Sequence, residues 1–303
     1  MIKPGDSHTT HGYKQSHDTW LQTVTGHKIT NSHRRFTVID QSPDKTIPST
    51  KQNSQTTPTL PAATNADSFF TQTPPARITV FIGAYGSGKS EIAVNYALAL
   101  KAAGHSVVLA DLDIINPFYR SADAESILTQ AGIDLIKPIF ANTNVDVPAV
   151  PGAVFSLFDR TDRFAILDIG GEDLGARILA SLKNRFPDEQ SAEQAHVYFV
   201  VNTCRPFTSD PDQIAAMADS LTGASKMRIT GMINNTNLLE FSDEHVLLES
   251  EDIIQAASDR TGIPVAFAAA RDDLVPAEWG SVTPDNRPLL RMTRTIFYPT
   301  DRM

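Results

Sequence analysis

The octet GAYGSGKS, residues 83–90, follows the short apolar run RITVFI (77–82) and opens the amphipathic run KSEIAVNYALALKAAG (89–104). It satisfies the spacing G-x-x-x-x-G-K-[ST] with Gly83, Gly88, Lys89 and Ser90. Glycines let a backbone curl until successive N–H groups point at one anion. A helix starting at that point adds its own N-terminal N–H groups and the positive end of its dipole. Lys89 then reaches two neighbouring phosphates, and the Ser90 hydroxyl is of the type that ligates Mg²⁺. The spacing has meaning only between a strand and a helix, and both flanks fit. The expected contact set is the loop itself with the residue after it: Gly83, Ala84, Tyr85, Gly86, Ser87, Gly88, Lys89, Ser90 and Glu91. For Tyr85, packing over a ligand and facing solvent both stand open.

The rest of the chain repeats the same unit. Apolar runs at 77–82, 106–113, 163–170, 195–202, 227–235 and 263–269 predict six strands. Helical patterns lie at 89–104 and near 121–131, 149–160, 174–185, 209–222 and 243–260. Near-continuous apolar strands alternating with helices require a parallel sheet covered on both faces. Right-handed crossovers make that an α/β, three-layer, doubly wound and mostly parallel sheet, the fold of P-loop NTPases. The closing run RPLLRMTRTIFYPTDRM is expected to pack on the domain as a final strand or helix.

Residues 1–76 have a different composition, rich in Ser, Thr, His, Gln, Asn and Pro and poor in aliphatics. Such a stretch buries too little apolar surface to offset its ordering entropy. We expect a disordered or loosely docked polar tail over 1–76 and one domain over 77–303. HRRFTVID (33–40) is a candidate short strand. The tail histidines, His8, His11, His17, His27 and His33, match no metal-ligand spacing.

A phosphate loop needs a carboxylate partner for its metal, and ligands bind at the carboxyl ends of the strands in such sheets. LADLDIINPFYR (109–120) ends the second strand with Asp111 and Asp113. ILDIGGEDLGAR (166–177) ends the third with Asp168. Asp168 fits a carboxylate holding Mg²⁺ through water, and Asp113 fits a role on the attacking water or in the metal shell. Ser90, Asp113 and Asp168 are therefore the expected metal set, and Lys89, Asp113 and Asp168 the expected catalytic set. Asp111 is equally a metal group or a cap. Gly170 and Gly171 allow a backbone N–H to approach a terminal phosphate. Arg120 suits a phosphate or a structural ion pair; Glu172, Asp173 and Arg177 suit a switch or a capped helix start.

Composition excludes several classes. The chain has 303 residues and a net charge of −9, which disfavours a general nucleic-acid surface. One cysteine, Cys204, gives no intrachain disulfide and no iron–sulfur ligand set. No run reaches the roughly 20 apolar residues of a membrane span, and the N-terminus lacks an apolar signal region. The expectation is a cytoplasmic protein without membrane partners.

Together, GAYGSGKS, DLDIINP, DIGGEDLGAR, VVNTCRP and GMINN resemble the CobQ/CobB/MinD/ParA nucleotide-binding family, over about residues 77–270. The chain looks most like that family's "ATP-binding protein" members. The resemblance implies Asp113 as a catalytic or metal-linked acid and Asp168 as the Walker B acid. It implies Asn234, with Asn235 beside it, at the base, and Asn202 and Arg205 along base or ribose. Ala84 stands where the ParA and MinD branch carries a second lysine that crosses a dimer interface, and Tyr85 replaces a glycine. Transactivation by that lysine is thus absent, while a homodimer stays open.

The ligands expected are ATP and Mg²⁺. Guanine readers use N-K-x-D, and the stretch NNTN (234–237) offers Asn237, an amide, where an Asp would accept from guanine's two donors. Three functions follow. The first is a slow ATPase switch read by a protein partner. The second is an ATP-dependent ligase or kinase, with Arg120, Arg177 and Arg205 gripping an acidic metabolite. The third is a nucleotide-binding module without turnover.

Overall fold

In β1 (Ile78–Ile82) every residue is buried, so both faces of the strand must be covered. A computed structural model describes residues 63–113, 121–137, 152–171, 173–187 and 195–296 of the chain, and shows how. Seven further strands join β1: β2 (Val107–Asp111), β3 (Asp134–Ile136), β4 (Phe164–Asp168), β5 (His196–Val201), β6 (Gly231–Asn234), β7 (Val265–Arg271) and β8 (Leu289–Met292). They form one sheet in the order β3-β2-β4-β1-β5-β6-β7-β8. Every neighbouring pair is parallel.

Alternation along each strand sends side chains to two separate cores. Phe81, Leu109, Ile166, Tyr198, Val200 and Phe267 face α1 (Ala63–Gln72), α2 (Lys89–Ala102) and α3 (Glu125–Gln130). Val80, Ile82, Val108, Leu167, Phe199 and Met232 face the other way. They meet α4 (Gly152–Asp159), α5 (Asp173–Leu182), α6 (Pro211–Ser225) and α7 (Glu244–Thr261). The three-layer, doubly wound, parallel α/β architecture expected from the sequence is the one observed. Strand order reverses at β1, and the loop after β1 therefore opens into the crevice where such sheets bind ligands.

All six strands expected from the sequence form, with ends displaced by a few residues. Two more join them, β3 without a signal in the sequence and β8 in the closing run that was expected to pack as a strand or helix. β3 is a three-residue edge strand, too short to show a period. β8 is the C-terminal run, and it pairs parallel to β7 from Ala268↔Leu289 onward.

The start of the packed domain lies upstream of Arg77. Ala66, Phe69, Phe70 and Thr73 are all buried, at the i, i+3, i+4, i+7 spacing of one helical face. Phe69 meets Phe267 edge-on at 5.1 Å, and Phe70 meets Tyr96 edge-on at 5.3 Å. Two adjacent phenylalanines thus anchor α1 within a stretch whose overall composition reads as tail. The candidate strand 33–40 and the five tail histidines lie outside the described residues. Among the described residues no helix is long and apolar enough to cross a membrane.

Candidate functional site

The loop from Gly83 to Gly88 is held open by three glycines with left-handed φ: 151° at Gly83, 74° at Gly86 and 88° at Gly88. Two of them are also sterically required. A Cβ on Gly83 would lie 2.6 Å from the Val200 carbonyl of β5, and one on Gly88 would lie 2.3 Å from Asn235 Nδ2. Asn235 Nδ2 donates to the Ser87 carbonyl at 2.7 Å, which ties the loop to the end of β6. Lys89 is buried, and its Nζ donates across the loop to the Ala84 carbonyl at 2.9 Å. Ser87 Oγ is buried without a hydrogen-bond partner. Tyr85 is 65 % exposed at the rim.

The two acids after β2 and β4 meet beside this loop. Asp168 ends β4, in register with Phe81 of β1 and Asp111 of β2, and is fully buried. Ser121 Oγ donates to its Oδ2 at 2.6 Å, while Oδ1 is buried with no hydrogen-bond partner. Burial raises the Asp168 pKa above the usual carboxylate value. Ser121, Ser90 and the Lys89 charge pull it down, and the neighbouring Asp113 pushes it up. Asp113 lies against Gly170, where a Cβ would fall 1.9 Å from its Cγ. Gly170 is therefore the space that lets Asp113 approach. Asp111, open between two roles in the sequence, is a turn anchor. Its Oδ1 accepts from the Asp113 N–H and its Oδ2 from the Ala122 N–H, both at 3.0 Å.

The residues expected along the base divide. Asn235 lines the cavity. Asn234 is fully buried: its Nδ2 donates to Ser250 Oγ and Glu251 Oε1, both at 2.8 Å, and its Oδ1 accepts from Thr236 N. Asn202 is spent in the same way. Its Oδ1 accepts from Cys204 N at 2.9 Å, and its Nδ2 donates to the Asn237 carbonyl at 3.2 Å. Both amides hold loops in place and neither lines the cavity. Asn237 also folds inward, with Nδ2 donating to the Asn235 carbonyl at 2.7 Å.

The cavity itself measures about 480 Å³. Its lining includes Gly86, Lys89, Ser90, Asp113, Gly171 and Arg205. It also includes an apolar set, Leu247, Leu274, Val275, Met292 and Ile296. That apolar lining was not anticipated, because it comes from α7, from the loop after β7, and from β8 with the segment after it. Glu91 fastens that last segment. Its carboxylate accepts from Thr295 N at 2.5 Å, Thr295 Oγ1 at 2.7 Å and Ile296 N at 3.1 Å. Asn95, one turn along α2, exchanges two hydrogen bonds with the Thr293 backbone at 2.8 and 2.9 Å. Burial raises the Glu91 pKa. Arg120 and Glu172 lie outside the described residues, as do the side chain of Asp173 and the segment 114–120.

No protein-family model and no curated protein sequence matches the chain. Among solved structures, it is similar to the cell division protein FtsY from Thermotoga maritima, with 19% identity and a TM-score of 0.44, covering 65% of this chain and 62% of that one. It is similar to the signal recognition particle 54 kDa protein from Aeropyrum pernix K1 in complex with GDP, with 18% identity and a TM-score of 0.42, covering 65% and 41%. A third is FlhF complexed with GTP/Mg²⁺, with 14% identity and a TM-score of 0.41, covering 69% and 70%. The chain thus spans less than two thirds of the FtsY and 54 kDa protein chains.

The donor set suits a hydrated divalent cation shared with phosphates. Asp168 offers a buried, unpartnered carboxylate oxygen, and Ser90 and Asp113 flank it. Among the described residues there is no group of three or more His, Cys, Asp or Glu side chains that could hold a metal unaided.

Proposed function

We propose that the chain binds ATP with Mg²⁺ at Gly83–Ser90 and hydrolyses it slowly, as a switch whose state a protein partner reads. The observation that carries this reading is the unpartnered Oδ1 of Asp168, buried beside Ser90 and Lys89 of the glycine loop. A buried carboxylate oxygen without a donor costs about 1–3 kcal/mol or more unless something cationic meets it. Ser90, Asp113 and Asp168 would hold the Mg²⁺, which when bound neutralises charge on the phosphate oxygens. Lys89 and the loop N–H groups bind and orient the phosphate chain. The Asp113 carboxylate, which lies against Gly170, would orient a water or accept its proton. Gly171, with φ 57°, lines the same cavity, and its N–H would respond to a terminal phosphate.

The preference for ATP rests on Asn237. It presents no carboxylate to a base, and its amide is already engaged with the Asn235 carbonyl. The motifs that resemble the CobQ/CobB/MinD/ParA family support nucleotide binding, and a phosphate and metal set without an evident second catalytic domain favours the switch. Ala84, buried in the loop, leaves that family's second-lysine arrangement without its residue. Titration of ATP and GTP with Mg²⁺ against wild type and Lys89→Ala, with turnover measured in parallel, tests the reading. Loss of binding in the variant is expected; equal binding by both proteins would overturn it.

A further inference from the structure

We infer that Arg205 is a second phosphate cation, donating through its guanidinium to the phosphate chain of the nucleotide rather than to base or ribose; this rests on the nucleotide reading above. Arg205 lies four residues past β5, the strand next to β1. Its main chain curls back at once, with its N–H donating to the Asn202 carbonyl at 3.1 Å. The turn is locked from both sides. Asn202 is stapled to the loop after β6, and Thr208 Oγ1 donates to the Asn202 carbonyl at 2.8 Å. Phe207, inside the turn, has φ 67°, a left-handed backbone that a bulky side chain adopts only where its surroundings enforce it.

The turn delivers the guanidinium to one place. Arg205 Nε lies 3.7 Å from where a Cβ on Gly86 would be, so the side chain passes over the middle of the phosphate loop. That Nε is buried and has no hydrogen-bond partner. No carboxylate pairs with Arg205 among the described residues. Arg205 lines the cavity together with Lys89, Ser90 and Asp113 of the glycine loop and its neighbouring strand end. A planar guanidinium with an idle, buried donor, held over a loop that collects phosphate oxygens, matches a phosphate oxyanion in charge and geometry. Lys89 crosses the loop to Ala84, and Arg205 covers it at Gly86, so two cations bracket the anion.

Calorimetric titration of ATP, ADP and adenosine against wild type, Arg205→Ala, Arg205→Lys and Lys89→Ala, at low and high salt, tests this. Melting temperatures are taken for each protein. Arg205→Ala is expected to weaken ATP and ADP by about 10- to 100-fold, leave adenosine within about twofold and keep the melting temperature. Arg205→Lys should restore part of the loss, because charge returns without the planar donor. If adenosine binds too weakly to titrate, the salt dependence of ATP binding reads the same contact, and it should flatten in Arg205→Ala. Equal losses for ATP and adenosine, undiminished ATP binding, or a loss that tracks a fall in melting temperature would each overturn the inference. Lys89→Ala separates the two levels. If it too binds ATP normally, the nucleotide reading itself has failed; if it alone loses ATP, only the Arg205 assignment has.

Discussion

Asn235 and Ser87 are joined by one hydrogen bond, Nδ2 to carbonyl at 2.7 Å, and it fastens the phosphate loop to the far side of β5. The loop is thereby shaped by a strand two positions away in the sheet as well as by its own glycines. Gly88 is caught between both constraints. A methyl there would face a φ of 88° and an amide nitrogen at 2.3 Å. Gly88→Ala should therefore lower the melting temperature by several degrees, for about 1–3 kcal/mol of strain, and weaken ATP binding at least tenfold. Asn235→Ala should cost about 1–2 kcal/mol in stability and also weaken ATP. Thermal unfolding with and without Mg·ATP checks both. Normal ATP affinity in Asn235→Ala would show that the loop keeps its shape without the tether.

Asp168 sets stability against function. Its folded pKa is raised, so the folded chain holds that proton more tightly than the unfolded chain does. The favourable contribution is complete below the unfolded carboxylate pKa and is lost as pH rises through the folded one. At neutral pH the buried carboxylate is a cost. Asp168→Asn should then be more stable than wild type without ligand by about 1–2 kcal/mol near pH 7, with the gap closing as pH falls through the carboxylate range. The same variant should lose Mg²⁺-dependent ATP binding. Urea unfolding at several pH values checks the first point and titration with Mg·ATP the second. A variant less stable than wild type at pH 7 would contradict the argument.

Phe69 belongs to the core although it sits in the polar N-terminal stretch. It is 2 % exposed and touches Phe70, Tyr96 and Phe267 edge-on. Phe69→Ala should cost about 3–5 kcal/mol. A chain starting at Arg77 loses Phe70 and Ala66 as well, and should expose the α2–β7 face and aggregate. Starting at residue 60 instead should preserve the wild-type melting temperature. Unfolding curves for the three proteins decide where the packed domain begins.

Local chemistry explains which features were legible in the sequence. The phosphate loop, Asp113 and Asp168 could be placed because each lies at the end of an apolar strand, where a short motif dictates direction. Asn202 and Asn234 also end strands, yet their amides turn inward to bind Asn237 and Ser250. Which way an amide turns depends on partners far along the chain, and spacing does not carry that. The apolar cavity wall was hidden for the same reason, since Met292 and Ile296 reach it only through the pairing of β8 with β7. α1 was missed for a different one. Its 66, 69, 70, 73 spacing is visible, but the average composition of residues 1–76 outweighed four residues.

Glu91 makes the first turn of α2 a clamp on the C-terminal segment. The residue follows Ser90 directly, so one helical turn holds a proposed metal ligand and the Thr295–Ile296 backbone at once. Three N–H or O–H groups from that segment point at a single carboxylate, and an acceptor-only group satisfies them all. Glu91→Ala leaves them unmet and should cost about 2–3 kcal/mol. Glu91→Gln keeps the size but turns an amide N–H₂ toward donors, so it should recover less than half of the loss. Met292 and Ile296 line the same cavity as Lys89, and releasing them should weaken ATP binding while leaving Lys89 in place. Hydrogen exchange gives the decisive measurement. In Glu91→Ala the amides of Thr295 and Ile296 should exchange much faster while those of β1 and β4 stay protected. Uniformly faster exchange would mean that Glu91 supports the whole domain rather than this one strap.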